Sequence, residues 1–186
     1  MEKKFPAIKL ETSRLILQKH QVGEAHVMAK AVRDNMSRFA LTFPWAHAKY
    51  SSDEALKYIE DTNVQWDRGE LFDFSIYNKE MEFLGNVGLH TIRWEHSRGE
   101  IGYWIRHEFE GKGLMSEAVS ALMREFFSLG LNRIEIRCDP ENVRSKNIPE
   151  RLGMKLEGHF HEHLFYQNAF RDTIIYAALT KDWQNG

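Results

Sequence analysis

Residues 100–130 read EIGYWIRHEFEGKGLMSEAVSALMREFFSLG and contain the most informative pattern of the sequence. Its first part, 100–105, predicts a strand because apolar and aromatic residues dominate it. From Leu114 onward the apolar residues recur at helical spacing, so that Ala118, Leu122, Phe126 and Leu129 share one face. Gly130 follows and predicts the end of that helix. The stretch is therefore a strand, a glycine-containing turn and a helix.

The turn before this helix contains Gly111 and Gly113. A helix N-terminus has free backbone N–H groups and a partial positive charge, and glycine lets the backbone approach a phosphate closely. The same Gly-x-Gly spacing also serves ordinary tight turns. The two glycines by themselves are therefore compatible with a phosphate site and with a simple turn.

The elements around this unit alternate between hairpins and helices. The pattern predicts further strands at 14–19, 72–76, 83–92, 133–138, 154–163 and 172–179, and further helices at 22–34, 51–69 and 145–152. The second of these helices starts with a capping box, Ser51 to Glu54. Hairpins combined with one strand–helix–strand crossover predict an α/β fold with a mixed, mostly antiparallel sheet. No linker divides the chain, so we expect residues 1–186 to form a single domain.

Composition limits the class of ligand and the compartment. The chain has 25 basic and 27 acidic side chains and a formal net charge of −2, so no overall field draws it to nucleic acid or a membrane. An anionic ligand must therefore be bound locally. The single cysteine, Cys138, cannot form an intramolecular disulfide, and the sequence shows neither a signal peptide nor a membrane span. We expect a soluble cytoplasmic protein.

Four stretches occur in an order that is typical of one family. They are ETSRLIL at 11–17, EIGYWI at 100–105, EGKGLMSEA at 110–118, and NVRS at 142–145 with RLGM at 151–154. Their combination resembles the GNAT acetyltransferases, and specifically the Rim branch, which acetylates the N-termini of ribosomal proteins. The resemblance covers nearly the whole chain. It implies a GNAT fold, in which a sheet of six to seven strands is flanked by about four helices.

The resemblance also implies acetyl-CoA as the acetyl donor and assigns its binding site. The backbone amides around the turn would bind the pyrophosphate; these belong to Gly111, Lys112, Gly113, Leu114, Met115 and Ser116. The exposed strand backbone of Tyr103, Trp104 and Ile105 would pair with the pantetheine arm, and Asn142 would bond the same arm. One strand amide would polarise the thioester carbonyl.

Two residues are assigned to proton transfer. By the resemblance, Ser145 would lie near the sulfur and could protonate the leaving thiolate. The residue types by themselves also fit a different role, in which Asn142 and Ser145 cap the start of a helix. Glu100 is the candidate base that removes a proton from the ammonium group of the acceptor, and Glu162 is the second candidate. A charged residue at a strand end is, however, often only solvated.

The sequence departs from the family in two side chains beside the turn. Glu110 stands where Gln or Arg is usual, and Met115 stands where a small residue is usual. Glu110 would repel a pyrophosphate unless it is turned outward. No tyrosine follows Leu152 and Gly153 where many small-molecule relatives carry their acid, which favours Ser145 or solvent as the proton donor.

Three alternating histidines, His159, His161 and His163, are expected to share one face of a strand. We expect no metal site, because a closed coordination geometry needs a third or fourth ligand and nothing in the sequence indicates one. We predict instead that these imidazoles line the acceptor groove or face solvent. The loop Phe43-Pro44-Trp45 borders the acceptor site in relatives. Cys138 is expected to be a buried filler.

These residues together predict transfer of acetyl from acetyl-CoA to a primary amine by direct attack in a ternary complex. The resemblance favours the N-terminal amine of a ribosomal protein as acceptor. A small amine such as a polyamine, an amino sugar or an amino-acid-like toxin is the alternative acceptor. A second alternative is that the protein is a non-catalytic acyl-CoA sensor. Relatives often form dimers, so a homodimer is compatible with this interpretation.

Overall fold

A computed structural model describes residues 2–40 and 43–183 of the chain. Within them, eight strands form one sheet in the order β1-β2-β3-β4-β5-β6-β8-β7. The strands are β1 (Lys9–Glu11), β2 (Leu15–Lys19), β3 (Phe72–Asn78), β4 (Phe83–Arg93), β5 (Arg98–Ile105), β6 (Arg133–Cys138), β7 (Lys155–Tyr166) and β8 (Ala169–Leu179). Neighbouring strands are antiparallel except β5 and β6, which are parallel. This parallel pair is the one joined by the long crossover through the glycine turn.

Helices cover both faces of the sheet. They are α1 (Ala25–Asp34), α2 (Met36–Phe39), α3 (Ser52–Asp67), α4 (Leu114–Ser128) and α5 (Val143–Arg151). The apolar face of α4 packs on one side, where Phe72, Leu122 and Phe126 are fully buried. On the other side α1 and α3 bury a second cluster, which includes Ala29 and Ile59. Burial of these two apolar clusters is the main stabilising contribution to the fold.

The α/β class, the order of the predicted elements and the capping box of α3 are confirmed, and the short helix α2 lies where a loop was predicted. Ser51 Oγ accepts the Glu54 N–H at 3.2 Å, and the Glu54 carboxylate accepts the Ser51 N–H at 2.9 Å. The sheet has eight strands rather than six to seven, because residues Lys9–Glu11 add a short edge strand to β2. Three residues are too few to show an alternating pattern, which explains why this strand was not predicted.

A buried ionic network fixes α1 and β3 relative to the end of β2. His20 Nδ1 lies 2.7 Å from Ser75 Oγ and 3.4 Å from Glu24 Oε2, while its Nε2 lies 3.4 Å from Asp73 Oδ2. Burial disfavours the charged imidazole, but the hydrogen bonds and charges of Asp73 and Glu24 outweigh it and raise the pKa of His20 to about 9. The imidazolium therefore compensates two buried carboxylates at neutral pH.

In the part of the chain that the structure describes, no helix combines the length and the apolar character needed to cross a bilayer.

Candidate cofactor and acyl-transfer site

The parallel strands β5 and β6 separate after three paired residues. Their register pairs Arg98 with Arg133, Gly99 with Ile134 and Glu100 with Glu135, and no later pair. Beyond this point β5 continues against β4 as far as Ile105, whereas β6 continues against β8. The backbone of 101–105 therefore has one edge open toward a wedge between the two strands. An extended ligand with amide groups can pair with such an edge as an additional strand does.

The side chains of the separating strand point to the two faces of the sheet and leave this edge accessible. Tyr103 and Ile105 pack against the core beneath α4, whereas Trp104 packs in the cluster with α1 and α3. This alternation is the normal geometry of a strand. The structure thus brings the predicted residues Tyr103, Trp104 and Ile105 to the wall of the wedge.

The glycine turn leads directly into the first turn of α4. Gly111 has a φ of 72° and Gly113 a φ of 75°, a region that residues with a Cβ enter only at an energetic cost. Gly113 is the N-cap, and no side chain of the described residues caps the helix there. The first-turn amides, including those of Leu114 and Ser116, are therefore available to an anion and carry the positive end of the helix dipole.

A cluster of contacts ties this turn to the start of β2. The Glu117 carboxylate, in the first turn of α4, accepts the Thr12 hydroxyl at 2.5 Å and the Arg14 Nε–H at 2.6 Å. Arg14 Nη1 also donates to the Lys112 carbonyl at 3.0 Å. The Arg14 guanidinium thereby fixes the backbone of the glycine turn from a different part of the chain. The pairing of Arg14 with Glu117 joins positions far apart in the chain, so no local signal in the sequence indicates it.

The two residues that depart from the family pattern contact other elements of the fold. Glu110 Oε2 lies 2.5 Å from Arg38 Nη1 and 3.2 Å from Arg144 Nε, so two guanidinium groups compensate its charge. Arg38 belongs to α2 and Arg144 to the first turn of α5. Met115 is buried in the core beneath α4 and faces away from the turn. Glu110 is therefore a charge-compensated carboxylate next to the turn, and Met115 is directed into the core.

Asn142 and Ser145 lie at the start of α5, beside the wedge. Asn142 Oδ1 accepts the Ser145 N–H at 3.1 Å, so Asn142 is the N-cap of the helix. The Ser145 hydroxyl is not part of that cap and lies 3.2 Å from the Tyr103 hydroxyl, which also donates to the Ser145 carbonyl at 3.0 Å. Burial raises the pKa of the Tyr103 phenol, so this group stays a neutral donor. The Tyr103 side chain thereby links β5 to α5 across the wedge.

The two candidate bases occupy different places. Glu100 is the last paired residue of β5 before the wedge, and its carboxylate lies 3.2 Å from Arg137 Nη2. It is on the face opposite α4, because its neighbour Ile101 packs in the core beneath that helix. Glu162 is exposed on β7, which β6 and β8 separate from β5. The structure therefore places Glu100, and not Glu162, beside the wedge.

An aromatic cluster lies over the open end of β5 on the same face as Glu100. The Phe39 ring packs against Trp104 at a centroid distance of 5.2 Å, and Phe43 stacks on Trp45 at 5.3 Å. Trp45 is 43% exposed, so the loop carries an apolar surface facing solvent. Beside the wedge this loop is suited to contact an acceptor.

The prediction that His159, His161 and His163 share one face is wrong. His159 and His161 contact Asp172, whereas His163 Nδ1 lies 3.0 Å from Thr173 Oγ1. Asp172 and Thr173 are consecutive in β8 and point to opposite faces. A bulge in β7 at Glu162, which has a φ of 50°, causes the change of face. Cys138 is buried as expected, and burial raises the pKa of its thiol to about 11, so the thiol stays protonated at neutral pH.

Comparisons with known proteins agree with this geometry. Residues 14–155 match the family described as acetyltransferase (GNAT) domain. The uncharacterized N-acetyltransferase p20 of Bacillus licheniformis is 30% identical over 177 residues, covering 94% of this chain and 97% of that protein. The ribosomal-protein-serine acetyltransferase of Escherichia coli is 28% identical over 166 residues, covering 88% of this chain and 92% of that protein.

Solved structures share the architecture. A ribosomal L7/L12 alpha-N-protein acetyltransferase in complex with coenzyme A superposes with a TM-score of 0.86, covering 90% of this chain and 95% of that one at 23% identity. An open strand edge beside uncapped helix amides can bind the pantetheine and pyrophosphate of acetyl-CoA and present its thioester to an amine. With its separated strands, its glycine turn at the start of α4 and its match over residues 14–155, the chain belongs to the GNAT acetyltransferase family and is an acetyl-CoA-dependent N-acetyltransferase.

Proposed function

We propose that the acceptor is the N-terminal amine of a protein, in particular of a ribosomal protein. The observation that carries this proposal is the similarity over 88% of the chain to the ribosomal-protein-serine acetyltransferase of Escherichia coli. The exposed Trp45 loop beside the wedge supports it, because an apolar surface there can contact the residues that follow a chain terminus. A ribosomal acceptor also favours a cytoplasmic location.

In this proposal the backbone binds the cofactor. The amides of residues 111–116 bind the pyrophosphate: Gly111, Lys112, Gly113, Leu114, Met115 and Ser116. The backbone of 103–105 pairs with pantetheine, and one of its amides stabilises negative charge on the thioester oxygen. The Asn142 side-chain N–H groups, which its capping bond through Oδ1 does not use, donate to the pantetheine arm.

Transfer then needs two proton movements. The neutral amine attacks the thioester carbon, the C–S bond breaks, and the acetyl group stays on nitrogen, while the proton that nitrogen loses as the amide forms ends on the thiol sulfur. Glu100, directly or through a water, takes the proton that the ammonium loses. The Ser145 hydroxyl donates a proton or a hydrogen bond to the leaving thiolate, and its place beside Tyr103 on the wedge supports this role.

Replacing Ser145 by alanine should lower kcat by roughly 10- to 100-fold and leave the KM for acetyl-CoA nearly unchanged. The reason is that the hydroxyl acts on the leaving group and contributes little to ground-state binding. Steady-state thiol release measures both constants. Tyr103→Phe is the matched control, since it removes the hydroxyl next to Ser145 while keeping the ring, and should cost less. Full turnover in Ser145→Ala would remove this residue from the mechanism.

Replacing Glu110 by glutamine should tighten acetyl-CoA binding by roughly two- to tenfold at low salt. The change removes a negative charge beside the pyrophosphate site and leaves the charges of Arg38 and Arg144 in place. Calorimetric titration measures the affinity, and the gain should shrink as salt is raised. Glu108→Gln is the control, because that carboxylate pairs with Arg106 instead. Weaker binding in Glu110→Gln would show that its ion pairs organise the site.

A panel of acceptors tests the proposed function. Peptides with a free N-terminus should release thiol from acetyl-CoA faster than N-terminally blocked peptides, polyamines or amino sugars. A preference for a polyamine or an amino sugar would support a small-molecule enzyme instead. Acetyl-CoA binding without turnover on any acceptor would identify a sensor.

A further inference from the structure

The bulge in β7 gathers three potential metal ligands on one face of the hairpin. The register of β7 and β8 breaks between Phe160 and Leu164, and Glu162 adopts a φ of 50°. A left-handed conformation at a residue other than glycine is energetically unfavourable and persists only where the surroundings hold it. Here the Glu162 N–H donates to Asp172 Oδ1 at 2.8 Å. The bulge therefore orients the Asp172 carboxylate.

The other oxygen of this carboxylate faces two imidazoles. Asp172 Oδ2 lies 2.6 Å from His159 Nε2 and 3.1 Å from His161 Nδ1. The two rings lie 4.4 Å apart at an interplanar angle of 32°. One ligand atom from each of the three residues lies within 4.8 Å of the others. Three donors from two neighbouring strands thus converge on one point at the protein surface.

We propose that His159, His161 and Asp172 form a binding site for one divalent first-row transition ion of the zinc type. Bonds of about 2.0–2.1 Å to nitrogen and oxygen place tetrahedral ligands roughly 3.3 Å apart, so small side-chain rotations around the present positions admit the ion. Two imidazoles with one carboxylate suit zinc, cobalt or nickel, whereas magnesium and calcium prefer oxygen ligands. Solvent supplies the fourth position, because His161 is largely exposed.

The proposed site has the outer contact that metal sites commonly use. The backbone N–H of Glu162 fixes the carboxylate oxygen that does not point at the imidazoles, as outer hydrogen bonds do for ligating carboxylates. The ion would join β7, the outermost strand, to β8 across the irregular part of their register. Binding should therefore stabilise this hairpin. This inference is independent of the acetyl acceptor.

The test is a titration of the metal-free full-length chain. Calorimetry with Zn²⁺ should show one ion per chain, and Co²⁺ should develop the intense visible absorption of a tetrahedral complex. His161→Ala and Asp172→Asn should each weaken Zn²⁺ binding by at least about tenfold, since the loss of even an outer contact of a metal site costs 10- to 100-fold.

His163→Ala is the matched control. It removes a third histidine from the same strand, but this histidine contacts Thr173 on the opposite face and should not affect the titration. The proposal is overturned if the parent binds no ion, if His163→Ala weakens binding as much as His161→Ala, or if neither His161→Ala nor Asp172→Asn changes the affinity.

Discussion

Replacing Gly111 and Gly113 together by aspartate should abolish the thermal stabilisation of the protein by acetyl-CoA. In the parent, acetyl-CoA at a hundred times its Kd should stabilise the fold by about 2.7 kcal/mol. Two carboxylates beside the pyrophosphate site would oppose its charge and fill the space that lies open around these glycines. We expect the affinity to fall at least about 100-fold, which a thermal shift titration would detect.

Gly153→Asp separates this effect from backbone strain. Gly153 has a φ of 70° and open space around its Cβ position, as Gly111 has, but it follows the C-terminal end of α5. The Gly153→Asp variant should be somewhat less stable than the parent but should still be stabilised by acetyl-CoA. An unchanged acetyl-CoA shift in the double aspartate variant would contradict the assignment of the glycine turn as the phosphate site.

His20→Ala should lower the free energy of unfolding at pH 7 by about 3–5 kcal/mol, the usual range for breaking a buried ion pair. The change would leave the carboxylates of Glu24 and Asp73 buried without their imidazolium. Because the folded pKa of His20 is raised to about 9, its stabilising contribution is complete below the unfolded value near 6.5 and is lost as the pH rises through 9. The difference between parent and variant should therefore shrink from pH 7 to pH 9.5.

Denaturant unfolding at several pH values measures this difference. His26→Ala is the control, since His26 is exposed on α1 and its loss should change stability by no more than about 0.5 kcal/mol. Equal stabilities of the two variants, or a difference from the parent that does not depend on pH, would argue against a charged His20 in the core.

Local periodicity predicted those parts of the fold that depend on local signals. The face of α4 and the capping box of α3 are encoded within a few turns of helix, so both could be found without the structure. The exposed backbone edge of 103–105 was expected only from the family resemblance, because pairing between distant strands leaves no mark in either strand alone.

Long-range contacts explain what sequence reasoning missed in the site. Glu110 was expected to disturb phosphate binding unless turned outward, and its partners Arg38 and Arg144 come from two other elements. The change of face at His163 depends on a left-handed residue, Glu162, that is not a glycine and gives no compositional signal. Both features arise from tertiary packing, which overrides the local pattern.

The most direct test of the central claim locates the transferred acetyl group. The purified chain would be incubated with acetyl-CoA and a peptide that copies the first residues of a ribosomal protein and also contains an internal lysine. Fragmentation mass spectrometry should find one acetyl group on the N-terminal amine, and the Gly111→Asp, Gly113→Asp variant should produce none. Acetylation of the lysine alone, or an unmodified peptide in the presence of bound acetyl-CoA, would contradict the account.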